Sequence, residues 1–325
     1  MKRNQTNHFR LSGLAKVSAI VITGCALLPP SPAQAQAGNQ KYYDTPEAAV
    51  EALLNAFKTN NEQALLDIFG HEHDKLIVVT DKAQRGEAVL DLYNKAQQTW
   101  NLRQDSGDMH TLIIGPDKWP FPIPLIKETG GWRFDTDAGE DEIINRRVGQ
   151  GELNAIETCQ AYVDAQVNYA AVDRDGDQVR EYAQKLDSTP GNNDGLYWKS
   201  NTTAGEEMSP FGPMLADAAG YLKARDNSKA PILPYEGYYF KILTGQGENV
   251  PGGKYDYIIN GNMIAGFAMV ACPADYGSSG VMTFLVSHHG QIFEKDLGDK
   301  THDIAKIMKD YNPDSSWKLV DESGF

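Results

Sequence analysis

The feature that most constrains this chain is a change of hydrophobic period in its second half. From Glu152 to Gln184 an amphipathic helix pattern runs into the acidic loop Asp173-Arg174-Asp175-Gly176-Asp177, and a series of strand-like segments follows. Leu153, Ile156, Cys159, Val163, Val167 and Ala170 recur at spacings of three and four, the stripe of a helix that covers one side of a core. The strand-like segments are Gly237 to Thr244, Tyr255 to Ile259 extending through Met263 to Cys272, Val281 to Ser287, and Gln291 to Glu294. Glycine-rich or two-residue turns such as His289-Gly290 join them, as antiparallel hairpins require. The expected result is a long helix packed on a four-stranded antiparallel meander. A turn-rich insert, Asp187 to Pro234, lies between helix and sheet, and a short helix, Asp303 to Met308, and the strand-like Trp317-Lys318-Leu319 follow it.

The first half reads differently. Asp44-Thr45-Pro46-Glu47 is a helix start, with proline just inside the first turn and acids at the positive end of the helix dipole. Ala49, Leu53, Leu54 and Phe57 form one face of a helix reaching about Thr59, Asn60-Asn61 breaks it, and Glu62 to Phe69 is a shorter piece. A further helix is expected from Gly86 or Glu87 to Trp100. Thr111 to Ile114, Pro122 to Lys127 and Gly131 to Phe134 then read as strands. The class is α+β, with a helices-plus-small-sheet domain over 42–136, an acidic connection over 137–145 that lacks apolar periodicity, and a second α+β domain over 146–325. A chain of 325 residues comfortably holds two cores.

Ahead of both, residues 1–37 read as a secretory signal. Lys2, Arg3, Arg10 and Lys16 precede the apolar run Val17 to Leu28, and Pro29-Pro30-Ser31-Pro32 leads to the small-residue stretch Ala33 to Ala37. The run is shorter than the roughly 20 residues a membrane span needs. A soluble periplasmic or secreted product without a transmembrane segment is expected. Ile22-Thr23-Gly24-Cys25 is similar to the lipobox of bacterial lipoproteins, and a product anchored through Cys25 is the alternative. Removing the signal leaves 26 basic against 44 acidic residues, a net charge near −18. Such a surface repels nucleic acid and anionic lipid headgroups and suits cations, peptides or sugars. The mature chain keeps two cysteines, Cys159 and Cys272, which either pair as a disulfide or stand as small buried apolar residues.

Candidate chemistry is sparse. Asp173, Asp175 and Asp177 occupy positions one, three and five of a tight loop, with Glu181 at position nine, a spacing that lets oxygens converge on a hard cation. Ca2+ is the one cofactor suggested, although glycine falls at position four rather than six and Gln184 replaces the bidentate acid at twelve. His71-Glu72-His73-Asp74 would place two imidazoles on one side of an extended strand, with no Cys or His partner at a telling distance for zinc. Gly277-Ser278-Ser279-Gly280 lacks the spacing of a nucleophile elbow and reads as a turn. Tyr235, Tyr238, Tyr239, Phe240, Tyr255, Tyr257, Phe267 and Tyr276 crowd the last half, and a solvent-facing row of them would suit a peptide or glycan. The leading expectation is therefore a non-enzymatic binding or envelope-assembly module. The alternative is a small-molecule hydrolase or isomerase that uses His71, His73, Asp74 and His110 in a pocket of the first domain. A hollow interior would favour the enzyme, and an apolar-filled one the binding module.

Three resemblances bear on this reading. Thr45 to Leu53 at the first helix and Gly130-Gly131-Trp132-Arg133-Phe134-Asp135 at the last strand resemble the cone-shaped domain of the nuclear transport factor and SnoaL-like superfamily. The long helix, meander and acidic loop resemble the headgroup of type IV pilins and pseudopilins, without the apolar N-terminal helix segment that builds a filament. Asn145 to Gly149, Glu152 to Ile156, Asp173 to Asp177, Ser188 to Gly191, Gly237 to Leu243 and Tyr276 to Phe284 together are similar to the bacterial family called domain of unknown function 2950. That last resemblance implies an exported protein of Gram-negative bacteria and no particular activity.

Overall fold

Local capping sets the first two helices. In the computed structural model, which describes residues 40–74, 82–200, 205, 207–212 and 234–321, α1 (Pro46–Lys58) starts where Thr45 Oγ1 accepts from the Ala48 amide and proline fills the first position. Asn60, at a positive φ of 46°, turns the chain. Asn61 then caps α2 (Glu62–Phe69) by accepting from the Ala64 amide, and Gly70 ends it at φ 94°. Residues 1–37, expected to be a signal, and Cys25 with them lie outside the described residues.

A single 3-10 turn, His71–His73, follows, and α3 spans Lys82–Gln98. The sheet of this half is antiparallel throughout, ordered β1 (Trp100–Ser106), β2 (Met109–Ile114), β4 (Leu125–Glu128), β5 (Gly131–Phe134), with the short β3 (Trp119–Pro120) also on β2. Trp100 opens a strand instead of closing a helix. β1 escaped the period analysis because most of its residues are exposed on an edge, so no alternation marks it. Pro122 and Pro124 keep their segment out of the ladder until Leu125, since neither can donate a backbone bond.

The apolar faces of α1 and α2 close on this sheet. Leu53, Phe57, Leu65, Ile68 and Phe69 meet Leu112, Ile114, Leu125 and Phe134, and Phe121 and Ile123 come in from the β3–β4 connection. Phe121 is the hub, its ring 6.3 Å from Phe57, 6.2 Å from Phe69 and 6.0 Å from Phe134. The segment 40–43 seals the side. Tyr43 and Trp132 exchange backbone bonds, and the Gln40 amide donates to the Ile68 and Phe134 carbonyls.

The stretch 137–145, expected to connect the halves, does so as helix. α4 runs without interruption from Thr136 to Tyr169, starting well before the apolar stripe that opens at Leu153. Its opening turns carry charge rather than a stripe because few of their side chains are buried: Ile143 packs on the first cluster, and Arg146 donates to the Pro120 carbonyl and lies over the Trp119 ring. The buried line of the later turns is Ala155, Cys159, Tyr162, Gln166 and Tyr169, rotated from the expected stripe, and Val167 is 60% exposed. A glutamine holds the seat of an apolar residue because its amide is fully used. Gln166 Nε2 donates to Tyr162 Oη and the Ala183 carbonyl, and Oε1 accepts from the Ala183 amide.

The second sheet is antiparallel and has five strands where four were expected, in the order β15 (Lys318–Leu319), β13 (Ile292–Asp296), β12 (Met282–Ser287), β11 (Ala268–Pro273), β6 (Tyr238–Leu243). Between β6 and β11 lie the short β7 (Gly245–Gln246), β8 (Tyr255–Asp256) and the β9–β10 hairpin (Ile258–Ile259, Asn262–Met263). β14 (Asp310–Tyr311) pairs in parallel with β7, and α5 spans Thr301–Ile307. α4 packs across β11 and β12 over a core of Tyr162, Tyr238, Phe267, Met269, Phe284 and Leu285. The described residues up to Val320 group as one unit that contains both apolar clusters. Among the described residues no helix is long and apolar enough to cross a membrane.

Candidate functional site

The acidic loop begins where α4 ends. Its one cation turns inward: Arg174 has only 7% of its side chain exposed, lies 4.8 Å from the Tyr169 ring and 5.0 Å from the Trp198 ring, and donates to the Tyr169 carbonyl and to Glu207. Pinning Arg174 turns its neighbours outward. Asp173 accepts from the Gly176 and Gln178 amides, Asp175 from the Asp177 amide, and Asp177 from the Val179 amide and the Asn262 side chain. The bond from Gly176 leads in holding the Asp173 carboxyl below its ordinary range. Gly176 has φ 80°, and position six, where glycine was missing from the pattern, is Gln178 at φ 71°. One potential ligand oxygen from each of Asp173, Asp175 and Asp177 lies within 4.8 Å of the others. Glu181 does not join this cluster and accepts from the Met263 amide. With Asn262 on Asp177, the loop is fastened to the β9–β10 hairpin.

The histidines of the first half do not gather. The 3-10 turn turns His71 and His73 apart, so the extended-strand pairing does not arise. Half-exposed His71 bonds to Asp67 at 3.0 Å. His73 lies 3.1 Å from Glu140 and 3.6 Å from Asp137, both on the opening turn of α4. Asp74 is exposed. His110, on β2, sits edge-on to Trp132 at 4.8 Å, and its buried Nδ1 has no hydrogen-bond partner among the described residues. The space between helices and sheet, where a pocket was sought, is packed with the Phe121 cluster.

Cys159 and Cys272 are buried free thiols. Burial pushes both thiols up, Cys272 to about 11, which leaves neither a nucleophile at neutral pH. The tyrosine row does not face solvent. Tyr238, Tyr257 and Phe267 are core, and Tyr235, Tyr239, Phe240 and Tyr255 pack against it half-buried. Ser279 Oγ bonds only within its turn, to Asp275. His288, beside the β12–β13 turn, packs against Tyr257 and Phe267, and burial pushes its imidazole below the ordinary value.

One structural contact lies beyond what the sequence pattern indicates. Glu152 Oε1 accepts from both the Val281 and Met282 amides at 2.9 and 3.0 Å, fastening α4 to the start of β12. Glycines make the approach feasible, because a Cβ at Gly151 would strike the Ser279 carbonyl and one at Gly280 the Tyr238 hydroxyl. The signal was present as two motifs, Glu152 to Ile156 and Tyr276 to Phe284, whose contact no local pattern reveals.

These motifs place the chain. It belongs to the family described as Protein of unknown function (DUF2950), which it matches over residues 40–320. No curated protein and no solved structure matches it, and neither the resemblance to the cone-shaped domain nor that to the pilin headgroup is confirmed by these comparisons.

Proposed function

We propose that the mature chain is an exported, non-enzymatic module of the bacterial envelope that binds a peptide, glycan or envelope protein, with Ca2+ stiffening the loop after its long helix. The alternative product anchored through Cys25 would place the same module on a membrane. The observation that carries the reading is the convergence of Asp173, Asp175 and Asp177 beside a buried Arg174. Three carboxylates of like charge repel one another, and a hard cation relieves that repulsion while accepting their oxygens. The same loop holds the β9–β10 hairpin, so an ion there would rigidify a rim of the second sheet. The packed Phe121 cluster supports the non-enzymatic side of the proposal.

The test is thermal unfolding of the mature protein in millimolar Ca2+ and in excess chelator, with Asp175→Ala alongside. A ligand that binds only the folded state raises the melting temperature, and at about 100 times its dissociation constant it adds about 2.7 kcal/mol. The reading expects a calcium-dependent rise that Asp175→Ala abolishes. No shift at millimolar Ca2+ reduces the loop to a solvated turn.

A further inference from the structure

A separate group of ligands forms where α2 runs out and α4 begins. His73 is 9% exposed, and its two ring nitrogens meet two different carboxylates. Nδ1 is 3.1 Å from Glu140 Oε1, a hydrogen bond. Nε2 is 3.6 Å from Asp137 Oδ1, too far for one. A nitrogen of a nine-tenths-buried ring thus points at a carboxylate without bonding to it. Two ligands on one tetrahedral zinc ion, each about 2.0–2.1 Å from the metal, stand about 3.3 Å apart. The His73 Nδ1 to Glu140 separation of 3.1 Å is close to that span, and ligand atoms of His73, Asp137 and Glu140 all lie within 4.8 Å of one another.

The fold holds these groups in place. Thr136 Oγ1 donates to the Phe69 carbonyl at 2.6 Å in a buried bond, which ties the first turn of α4 to the last residue of α2. Gly139 lets that turn lie against Ile123, where a Cβ would collide. Asp137 and Glu140, three apart, share the helix face that looks at His73. The imidazole is buried and fixed, whereas the Asp137 side chain is 86% exposed and can turn to close the shell.

We propose that His73, Asp137 and Glu140 form a site for a divalent transition-metal ion of the zinc class. The ion takes Nδ1 and an oxygen of Glu140, with the exposed Asp137 side chain turning from the Nε2 side to supply a third ligand, and its fourth position faces solvent. An imidazole donor selects such an ion over Ca2+, which is held by oxygens. The site uses none of the residues of the acidic loop and does not rest on the calcium reading.

The test is calorimetric titration of tag-free mature protein with ZnCl2 in millimolar Ca2+, which competes for any cation site in the acidic loop. One Zn2+ should bind with micromolar affinity, and Asp137→Asn and Glu140→Gln should each weaken it roughly tenfold or more. Asp175→Ala and His288→Ala should leave it unchanged. His73→Asn should abolish it, and because that side chain is buried its fold is checked by circular dichroism. The two exposed carboxylate variants carry the test if it does not fold. Co2+ should give a visible absorption band that Asp137→Asn removes. Absence of binding at about 100 micromolar Zn2+, far above that affinity, or binding indifferent to Asp137→Asn and Glu140→Gln, overturns the proposal and leaves His73 an ion-pair partner only.

Discussion

Replacing Glu152 by alanine tests whether α4 is held to its sheet by one carboxylate. The Val281 and Met282 amides, at 2.9 and 3.0 Å from Oε1, would both lose their acceptor. Leaving a buried donor unsatisfied costs about 1–3 kcal/mol. These amides are half-buried and would regain some water, so the lower part of the range applies to each and the pair comes to about 2–4 kcal/mol. A partial offset comes from Glu294, whose carboxyl is pushed up by burial and then by the Glu152 charge, and which is relieved when that charge goes. The net expectation is a loss of about 2–3 kcal/mol in urea unfolding followed by far-ultraviolet circular dichroism. Glu152→Gln keeps an acceptor without its charge, and charge-assisted bonds are about twice as strong as neutral ones, so it should lose about half as much. A Glu152→Ala protein within about 0.5 kcal/mol of wild type would refute the reasoning.

Further outcomes follow from the same geometry. Phe121→Ala removes the ring shared by Phe57, Phe69 and Phe134 and should cost about 3–5 kcal/mol in the same assay, and a loss below about 1 kcal/mol would mean the cluster collapses to fill the space. Gly280→Ala drives a methyl group into the Tyr238 hydroxyl, which donates to the Met282 carbonyl, and should lower the melting temperature sharply, whereas wild-type stability would show that the turn can move. The folded-state pKa of Glu294 is raised, so the native state holds its proton to higher pH than the unfolded chain. Stability therefore falls as pH rises from the ordinary glutamate range through the raised value, and the loss is complete above it. Glu294→Gln should raise the melting temperature at pH 7 and leave it unchanged at about pH 3, and equal effects at both would refute the titration.

What the sequence made legible was what local chemistry decides. Thr45 with Pro46, and Asn61 after Asn60, mark helix starts because a side chain caps the amides two or three residues ahead. The carboxylates of the acidic loop converge because alternate positions of one short turn must meet. Illegible were the features decided at a distance. Nothing near Gln166 announces that the Ala183 backbone will satisfy its amide, so the helix stripe was placed around Val167 instead. The early turns of α4 are hidden for a related reason, since what they bury is Thr136, Gly139, part of Ile143 and an arginine stem, which make no apolar stripe. His73 stands 64 and 67 residues from Asp137 and Glu140, and long-range contacts such as the bond from Thr136 to the end of α2 bring them together.

The unbroken course of α4 governs how this protein can be taken apart. At about 1.5 Å per residue its 34 residues make a rod roughly 50 Å long, with no loop between the segments that serve the two apolar clusters. A split at any point from 137 to 169 therefore hands each fragment part of a helix, and pieces near 15 residues are marginal on their own in water. The least costly place to sever the rod is Gly149 to Gly151, where two glycines weaken helix propensity by about 1 kcal/mol each relative to alanine. A proteolytic nick or a split-protein design belongs there, and its fragments should find one another again through the Glu152 contact and the buried line from Ala155 to Tyr169.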